Sequence, residues 1–416
     1  KKKSNKEKFK NKEISLIETF FSKNLISNNS FQERYHKTIY SKLPLHIKNE
    51  SFFFPINFSI FHIRKFLNII KKEKIKFIHP MDFLEIKDYY ESIFILPSLS
   101  GIHSRNLFFQ SYNISKLVKY YHFISYFNFS SFLANLNFNF LKRLKNNNTK
   151  INLIIDWYEN QIIDKGLCLG KNIFYPKTII KGHMGFINDF RNIHYYTPIY
   201  LEKKLNVLPS EILLISKKIH KIYFKKLKFI KYKFVPAIRN AQIFDFKFKE
   251  KKKLNFKKNI LIVLSANTQE STFIFKLLES IWNKINFKKF NFIIKTHSNT
   301  KLNSFIKRNK NLLLTKKDFY SELQFADIII SGGTTATIEA NILNKKIILI
   351  GNDKGITLNP LLKQSEKNEN ICYDSKTLLS TINKLSKLKD KKMINNQLMN
   401  SYFIKLNKKD LTNFYK

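Results

Sequence analysis

The chain has 416 residues and carries 75 Lys and Arg against 30 Asp and Glu, a formal charge of +45. At roughly 100–200 residues per domain, this length predicts more than one domain. Hydrophobic residues make up 44% of the chain, which excludes global disorder despite the charge. The only two cysteines, Cys168 and Cys372, exclude a disulfide scaffold and a Cys-rich zinc site. Such sparse cysteine use is typical of a reducing compartment.

The basic excess consists almost entirely of Lys, since only 7 of the 75 basic residues are Arg. Lys, Asn, Ile and Phe are all abundant, as A/T-rich codons would produce, so the charge alone does not identify a partner. A strongly positive surface still attracts phosphates, nucleotides and anionic membranes. Because Arg is the usual partner of guanine, its scarcity argues against specific DNA recognition, and we expect no nucleic-acid partner.

Neither a signal sequence nor a membrane span is expected. The first ten residues, KKKSNKEKFK, are not followed by an apolar segment of the secretory type. The longest uncharged stretch, Tyr120 to Leu141, contains too many Asn and Ser residues for a spanning helix. Its aromatic residues predict a buried core helix in preference to a face resting on a membrane.

The first 50 residues are polar and Lys-rich, with a helical composition. From Phe52 onward, short apolar runs alternate with helical patterns, which predicts a parallel α/β sheet. The runs that predict buried strands are Ile75–His79, Ser92–Leu96, Asn152–Asp156, Lys177–Lys181 and Ile212–Ile215.

A Lys-rich segment, residues 247–258, predicts a linker between an N-terminal acceptor-side α/β domain (1–246) and a C-terminal nucleotide-binding domain (259–416). The second domain is predicted to hold strands and helices in alternation, followed by helices from Ser375 to Lys416. Its predicted elements are Asn259–Leu264, Ser271–Asn283, Phe290–Lys295, Asp327–Ser331, Thr335–Leu343 and Lys346–Gly351. Two such Rossmann-like units would face each other across a cleft, where ligands meet the carboxyl ends of the strands.

The segment SGGTTATIEA follows a predicted strand and opens a predicted helix. Its glycines allow close backbone approach, its hydroxyls can cap the helix, and the helix start offers N–H groups and a positive dipole end to a phosphate. The candidate phosphate and ribose contacts are Ser331, Gly332, Gly333, Thr334, Thr335 and Glu339. The spacing matches neither a P-loop nor a Gly-x-Gly-x-x-Gly motif. The alternative is an ordinary capped helix.

Lys295 and His297 follow another strand of the same half. Both side chains suit an anionic leaving group, and the imidazole can also donate a proton. Asn267 lies after the first strand of this half, where such sheets usually place a nucleotide loop, and nearby Glu270 is a second candidate carboxylate.

The segment DWYENQ ends a strand of the first half. Its aromatic rings can pack on a sugar, its amides can bind hydroxyls, and Glu159, in preference to Asp156, can act as base or nucleophile. Two further candidates lie in a Gly-flanked loop, for which a plain turn with an exposed His is the equal alternative, and in the sequence VPAIR. An Arg in a Lys-rich protein suggests a bidentate contact there, with an interdomain ion pair as the equal alternative. The candidate acceptor or sugar contacts are Asn160, Gln161, His183 and Arg239.

Taken together, these motifs resemble those of GT-B glycosyltransferases of bacterial surface-polysaccharide synthesis, the family described as surface carbohydrate biosynthesis proteins, whose relatives include Kdo and sialic-acid transferases. The resemblance covers roughly residues 152–361. It rests on WYENQxxxKGL (157–167), KGHMGF (181–186), VPAIR (235–239), KTH (295–297), SGGTTATIEA (331–340) and LNPL (358–361).

The resemblance implies a transferase whose substrate is a nucleotide sugar, favoured as a CMP-sugar carrying Kdo or another nonulosonic acid. We expect no cofactor and no metal ion, since Lys295, His297 and the helix dipole can offset the charge of the leaving group. In the CMP-sugar relatives a basic-x-His-Pro motif contacts the phosphate. Lys295 and His297 match it, but Ser298 replaces the Pro, which puts the rigidity of the loop in doubt. Glu159 and His297 are the candidate catalytic residues. The acceptor would be a glycan or lipid-linked glycan at the inner face of the cytoplasmic membrane, contacted from the cytoplasm through the basic surface.

Two alternatives remain open. UDP-GlcNAc 2-epimerases of the same fold also carry a Ser-Gly-Gly loop followed by Glu-Ala, although the pair Glu339–Ala340 lies two residues later than expected for them. The other alternative is a non-catalytic protein that binds anionic partners through its charge, which strong salt dependence would reveal. No His, Cys and Asp cluster has the spacing of metal ligands.

Overall fold

The computed structural model describes residues 2–20, 26–27, 30–31, 35–36, 40, 42–56, 76–94, 106–126, 128–187, 197–248, 257–265, 267–297, 304–355, 357–361 and 369–416. Within these ranges the chain forms two parallel sheets of six strands each and two short antiparallel pairs.

The first sheet is built from the N-terminal half. In chain order the strands of this half are β1 (Glu13–Thr19), β2 (Ile26–Ser27), β3 (Ser30–Phe31), β4 (Ser51–Pro55), β5 (Phe108–Phe109), β6 (Tyr112–Asn113), β7 (Lys150–Asp156), β8 (Ile179–Met184), β9 (Glu211–Leu214) and β10 (Lys231–Phe234). The sheet order is β10-β9-β8-β7-β1-β4, while β2–β3 and β5–β6 form the antiparallel pairs. The order of the sheet reverses between β1 and β7, and parallel sheets bind ligands beyond the carboxyl ends of strands at such a point.

The second sheet repeats this arrangement. Its strands are β11 (Lys258–Val263), β12 (Phe290–Lys295), β13 (Leu312–Leu314), β14 (Ile328–Ser331), β15 (Lys346–Ile350) and β16 (Glu369–Cys372). The order β13-β12-β11-β14-β15-β16 reverses between β11 and β14. Strand β14 reads Ile-Ile-Ile-Ser and is buried along its whole length, as expected for a parallel strand covered on both faces.

Helices alternate with the strands. They span Lys2–Phe9, Leu45–Glu50, Ile86–Phe94, Ser115–Tyr126, Phe129–Asn146, Ile162–Phe174, Tyr200–Lys204, Lys217–Ile219, Thr268–Ile281, Ser304–Arg308, Phe319–Phe325, Thr335–Ile342, Ser375–Ser386, Asn396–Tyr402 and Lys408–Thr412. None of these described helices combines the length and the apolar character that crossing a bilayer requires. The two Rossmann-like units confirm the predicted α/β, GT-B-like architecture.

The C-terminal end of the chain returns to the first sheet. The backbone N–H of Ala237 donates to the carbonyl of Ile404 at 2.8 Å, and the N–H of Ile404 donates to the carbonyl of Ile215 at 3.0 Å. The buried ammonium of Lys181 donates to the carbonyl of Asn413 at 2.8 Å. The predicted C-terminal helices therefore do pack back onto the N-terminal half.

The elements of the second half lie within a few residues of their predicted bounds, but three predictions for the first half need correction. The polar N-terminal segment contains β1, a strand between β7 and β4 that is buried from Ile14 to Thr19. Ser92 lies in the helix Ile86–Phe94, not in a strand; residues 95 and 96 lie outside the described part. Of the run Ile75–His79, only residues 76–79 are described, with a single bridge from Phe77 to Phe53.

The uncharged stretch from Tyr120 to Leu141 forms parts of two helices with opposite character. In the helix Phe129–Asn146, Phe140 is fully buried. In the helix Ser115–Tyr126, Tyr120 and Tyr121 are 60% and 64% exposed. The prediction of a buried core helix is therefore right for the second helix and wrong for the first.

Candidate functional site

A cavity of about 460 Å³ lies between the two sheets, near the carboxyl ends of their strands, and its volume is that of a small-ligand site. The N-terminal half contributes Glu159, Gly185, Phe186, Ile187, Arg239, Asn240 and Gln242. The C-terminal half contributes, among others, Lys295, His297, Tyr320, Gly333, Thr334, Thr335, Ala336 and Glu339.

The N-terminal wall presents the carboxylate of Glu159, which follows β7. Its Oε1 accepts from the indole N–H of Trp157 at 2.9 Å, and its Oε2 accepts from the amide of Gln161 at 2.7 Å. Burial raises the pKa of Glu159 above its usual value, although the Trp157 hydrogen bond and the Arg239 charge oppose this. The site therefore holds a carboxylate in a fixed orientation with its basicity increased, as general base catalysis requires.

Three buried acids lie behind Glu159. Glu18 accepts the backbone N–H of Trp157 at 2.8 Å, and Asp164 accepts the backbone N–H of Glu159 at 3.1 Å. Burial, and then the neighbouring charge of Asp156, raise the pKa of Glu18 well above its usual value. Both carboxylate oxygens of Asp156 are buried, and no hydrogen-bond donor reaches them from the described residues. A proton shared between Glu18 and Asp156 fits both these buried oxygens and the raised pKa of Glu18.

His183 lies beneath this wall and does not line the cavity. It is only 3% exposed, its Nδ1 lies 3.2 Å from Nε2 of His36, and its ring meets the edge of Trp157. Burial and the neighbouring His36 lower the pKa of His183 well below its usual value. A neutral histidine pair therefore supports the Trp157 ring.

The Gly-rich loop of the C-terminal half holds a protein carboxylate. The N–H of Gly333 donates to Oε1 of Glu270 at 2.6 Å, and the hydroxyl of Ser265 also donates to Glu270. The hydroxyl of Ser331 is buried and bonds that of Thr337 at 2.8 Å. Neither the Gly333 N–H nor the Ser331 hydroxyl is thus directed at the cavity.

The start of the helix Thr335–Ile342 does face the cavity, through Thr334, Thr335 and Ala336. The first N–H groups of a helix have no partner within it, and they carry the positive end of its dipole. Lys295, whose ammonium also donates to the carbonyl of Lys317, lines the same wall. An anion in this part of the cavity would meet N–H groups, hydroxyls and a positive charge.

Glu339 links the two walls. Its Oε1 accepts from the amide of Asn240, in the N-terminal half, and from the hydroxyl of Tyr320, both at 2.7 Å. Burial raises the pKa of Glu339, against these two hydrogen bonds and the charge of Arg239. Arg239 lies over the Trp157 ring, 5.9 Å from its centroid. Its positive charge acts on the carboxylates of both Glu159 and Glu339.

The structure brings some predicted site residues together and places others elsewhere. Those that line the cavity are Glu159, Arg239, Lys295, His297, Gly333, Thr334, Thr335 and Glu339. Those that do not are Asn160, Gln161, His183, Asn267, Ser331 and Gly332. Asn267 caps the helix Thr268–Ile281, and the buried Asn160 accepts from Tyr158 and Lys165.

Sequence reasoning missed Tyr320 and Asn240, which hold Glu339. Asn240 directly follows the VPAIR motif, so extending that motif by one residue would have included it. Tyr320 lies in a helix that no motif marks. Among the described residues, no group of three or more His, Cys, Asp or Glu is suited to hold a metal ion.

No protein-family model and no curated protein matches the chain. Its fold is similar to that of solved structures at low identity. UDP-GlcNAc 2-epimerase from Neisseria meningitidis, bound to UDP-GlcNAc, is 12% identical over 93% of this chain and 97% of its own, with a TM-score of 0.47. S. aureus MnaA with UDP is 10% identical over 91% and 88%, with a TM-score of 0.47. The calicheamicin glycosyltransferase CalG4 is 7% identical over 97% and 95%, with a TM-score of 0.46.

These similar structures include glycosyltransferases and UDP-GlcNAc 2-epimerases. The chain itself consists of two Rossmann-like units around a cavity, with the carboxylate of Glu159 on one wall and the start of the helix Thr335–Ile342 on the other.

Proposed function

We propose that the chain is a glycosyltransferase that moves a sugar from a nucleotide-sugar donor to a carbohydrate acceptor of surface-polysaccharide synthesis. The observation that carries this proposal is the position of Glu159 in the same cavity as the start of the helix Thr335–Ile342. One wall offers a base to an acceptor hydroxyl, and the other offers N–H groups and cations to a leaving phosphate.

On the donor side, the phosphate lies against Thr334, Thr335 and Ala336, with Lys295 and His297 beside it. The helix dipole and the Lys295 ammonium offset the negative charge that develops on the leaving nucleotide. Since these groups supply positive charge themselves, the proposal needs no metal ion.

On the acceptor side, Glu159 takes the proton of the attacking hydroxyl as that oxygen bonds to the anomeric carbon of the donor. The bond from the anomeric carbon to the phosphate oxygen breaks, and its electron pair leaves with the nucleotide. This single displacement inverts the anomeric carbon. If Glu159 instead bonds to that carbon first, a second displacement retains the configuration.

The donor nucleotide is the finer part of the proposal. The sequence resemblance favours CMP linked to Kdo or another nonulosonic acid, whereas two of the similar solved structures named above, MnaA and the Neisseria epimerase, were determined with UDP or UDP-GlcNAc. A donor panel that holds CMP-Kdo, CMP-sialic acid and UDP-GlcNAc therefore separates these possibilities.

Glu159→Gln tests the assignment. This variant keeps the shape of the side chain but removes the base, so we expect turnover to fall by roughly 10²–10⁴-fold with donor affinity unchanged. Nucleotide release from each donor, measured by mass spectrometry, gives the rate. The matched control is Glu279→Gln, because Glu279 is an exposed acid paired with Arg308 and does not line the cavity.

Normal turnover in Glu159→Gln would overturn the catalytic assignment. Formation of the C2 epimer of UDP-GlcNAc, with UDP still attached, would replace the transferase by an epimerase. Loss of activity in EDTA that zinc or magnesium restores would contradict metal independence.

A further inference from the structure

The helix Ser115–Tyr126 and the hairpin before it expose an apolar surface. Leu117, Tyr120, Tyr121 and Ile124 follow the i, i+3, i+4, i+7 spacing of one helix face, which in a globular protein normally faces the core. Here these side chains are 42–64% exposed. On the hairpin β5–β6, Phe108, Phe109 and Tyr112 are 62–71% exposed. We call these seven side chains the aromatic face.

The two parts of the aromatic face are joined by hydrogen bonds. The backbone N–H of Leu107 donates to the hydroxyl of Ser115 at 2.7 Å, and the N–H of Ile114 donates to the carbonyl of Leu107 at 2.8 Å. Ser115 is itself buried. The hairpin is therefore fixed to the first turn of the helix and is presented together with it.

The chain segment that carries this face has charges of one sign. Lys116 and Lys119 lie on the same helix and are exposed. Between Glu91 and Asp156 the chain contains no Asp or Glu at all, although the whole chain contains 30 acidic residues. A surface of Tyr, Phe and Lys without carboxylates has the chemistry that binds the interface of an anionic bilayer.

Instead of a membrane, a second copy of this chain could cover an apolar face of this kind. Two copies of the face would bring their lysines together on a protein whose formal charge is already +45, and like charges at an interface weaken association. An anionic lipid surface instead attracts Lys116 and Lys119 while the rings enter the headgroup layer.

We propose that the aromatic face docks the protein on anionic membrane, with the rings of Tyr120 and Tyr121 at the headgroup level and Lys116 and Lys119 against lipid phosphates. This inference concerns a surface distinct from the cavity and does not depend on which reaction the cavity performs.

The test uses the full chain and vesicles of phosphatidylcholine alone or mixed with phosphatidylglycerol, measured by co-sedimentation. The face variants are Tyr120→Ser/Tyr121→Ser and Lys116→Glu/Lys119→Glu. Matched controls come from the helix Tyr200–Lys204, whose Tyr200 and Leu201 are also more than half exposed: Tyr200→Ser/Leu201→Ser and Lys203→Glu/Lys204→Glu. Each Lys pair changes the formal charge equally, 45 − 4 = +41.

We expect the wild type to bind only the anionic vesicles. The face Tyr variant should bind roughly tenfold more weakly, and the face Lys variant should lose about fivefold per Lys, while both controls bind like the wild type. All four variants should keep the wild-type Tm and nucleotide affinity, because their side chains are exposed and lie outside the cavity.

Four results would overturn the proposal: no binding of the wild type to anionic vesicles, equal binding to neutral vesicles, unchanged binding by the face variants, or equal losses in the face and control variants. A wild-type dimer by light scattering that Tyr120→Ser/Tyr121→Ser converts to a monomer would assign the face to a second copy instead.

Discussion

Gly332 is the residue whose substitution tests the Gly-rich loop most sharply. A Cβ at this position would lie 2.0 Å from Cδ, 2.1 Å from Oε1 and 2.4 Å from Oε2 of Glu270. Non-bonded atoms prefer about 3.5–4.0 Å, so in Gly332→Ala the carboxylate must leave its place. Because Gly332 does not have a positive φ, the substitution adds no backbone strain, and the clash alone sets its cost.

The displaced carboxylate loses its hydrogen bonds from the Gly333 N–H and the Ser265 hydroxyl. At about 1.5–3 kcal/mol for each bond to a charged group, the gross loss is about 3–6 kcal/mol. Glu270 borders the loop beside an open cavity, so water can replace part of this loss. We therefore expect Gly332→Ala to lower the free energy of unfolding by about 2–4 kcal/mol.

A double-mutant cycle with Glu270→Ala isolates the cause. Denaturant unfolding would be measured for the wild type, both single variants and the double variant. Because Glu270→Ala removes the atoms in the way, Gly332→Ala should cost much less in that background, with a coupling of at least about 1.5 kcal/mol. Gly355→Ala, whose new Cβ would approach only the end of Asn352 at 3.0 Å, is the mild control. Additive costs of the two changes would refute this description of the loop.

Two further substitutions test the wall that holds Glu159. Burial beside Asp156 raises the pKa of Glu18 well above its ordinary value of 4.5. Above about pH 4.5 the folded chain therefore keeps a proton on Glu18 that the unfolded chain releases. The free energy of unfolding falls as the pH rises from that value to the pKa of Glu18 in the folded state. Glu18→Gln should remove this pH dependence, so its free energy of unfolding should rise relative to that of the wild type by about 1.4 kcal/mol per pH unit in that range. If the free energies of unfolding of the two proteins run parallel from about pH 4 upward, the shared proton is contradicted. In Gly185→Ala the new Cβ would lie 2.3 Å from the ring of Trp157, whose indole N–H orients Glu159, so we expect kcat to fall while nucleotide affinity holds; an unchanged kcat would show that this orientation does not matter.

The second half of the fold could be predicted closely because its strands are short β-branched runs between polar residues. The strand Phe290–Lys295 has the bounds that its sequence predicts. Strand β1 could not be predicted in this way, because Ser15, Glu18 and Thr19 interrupt its apolar pattern. These polar side chains are buried, and for Glu18 the compensating contacts come from residues about 140 positions away.

The candidate site could be predicted as a set of segments but not as a set of side chains. Loops after parallel strands converge at one edge of a sheet, which is why the segments around His297 and Thr334 meet. Glu159 follows a strand of the other sheet and lines the same cavity. Which side chains face the ligand depends on neighbours distant in sequence. Glu270 occupies the Gly333 N–H, and Tyr320 holds Glu339, yet no local pattern marks either contact.

The measurement that tests the central claim most directly is nucleotide binding by calorimetry, with CMP, CDP, UDP and GDP in parallel at low and high salt. The proposed donor site predicts selective binding of one nucleotide that survives high salt and weakens in His297→Ala. The control His46→Ala, in the exposed first turn of the helix Leu45–Glu50, should bind like the wild type. Equal weak binding of all four nucleotides, collapsing with salt and unaffected by His297→Ala, would contradict a nucleotide-sugar site and leave only a charged surface.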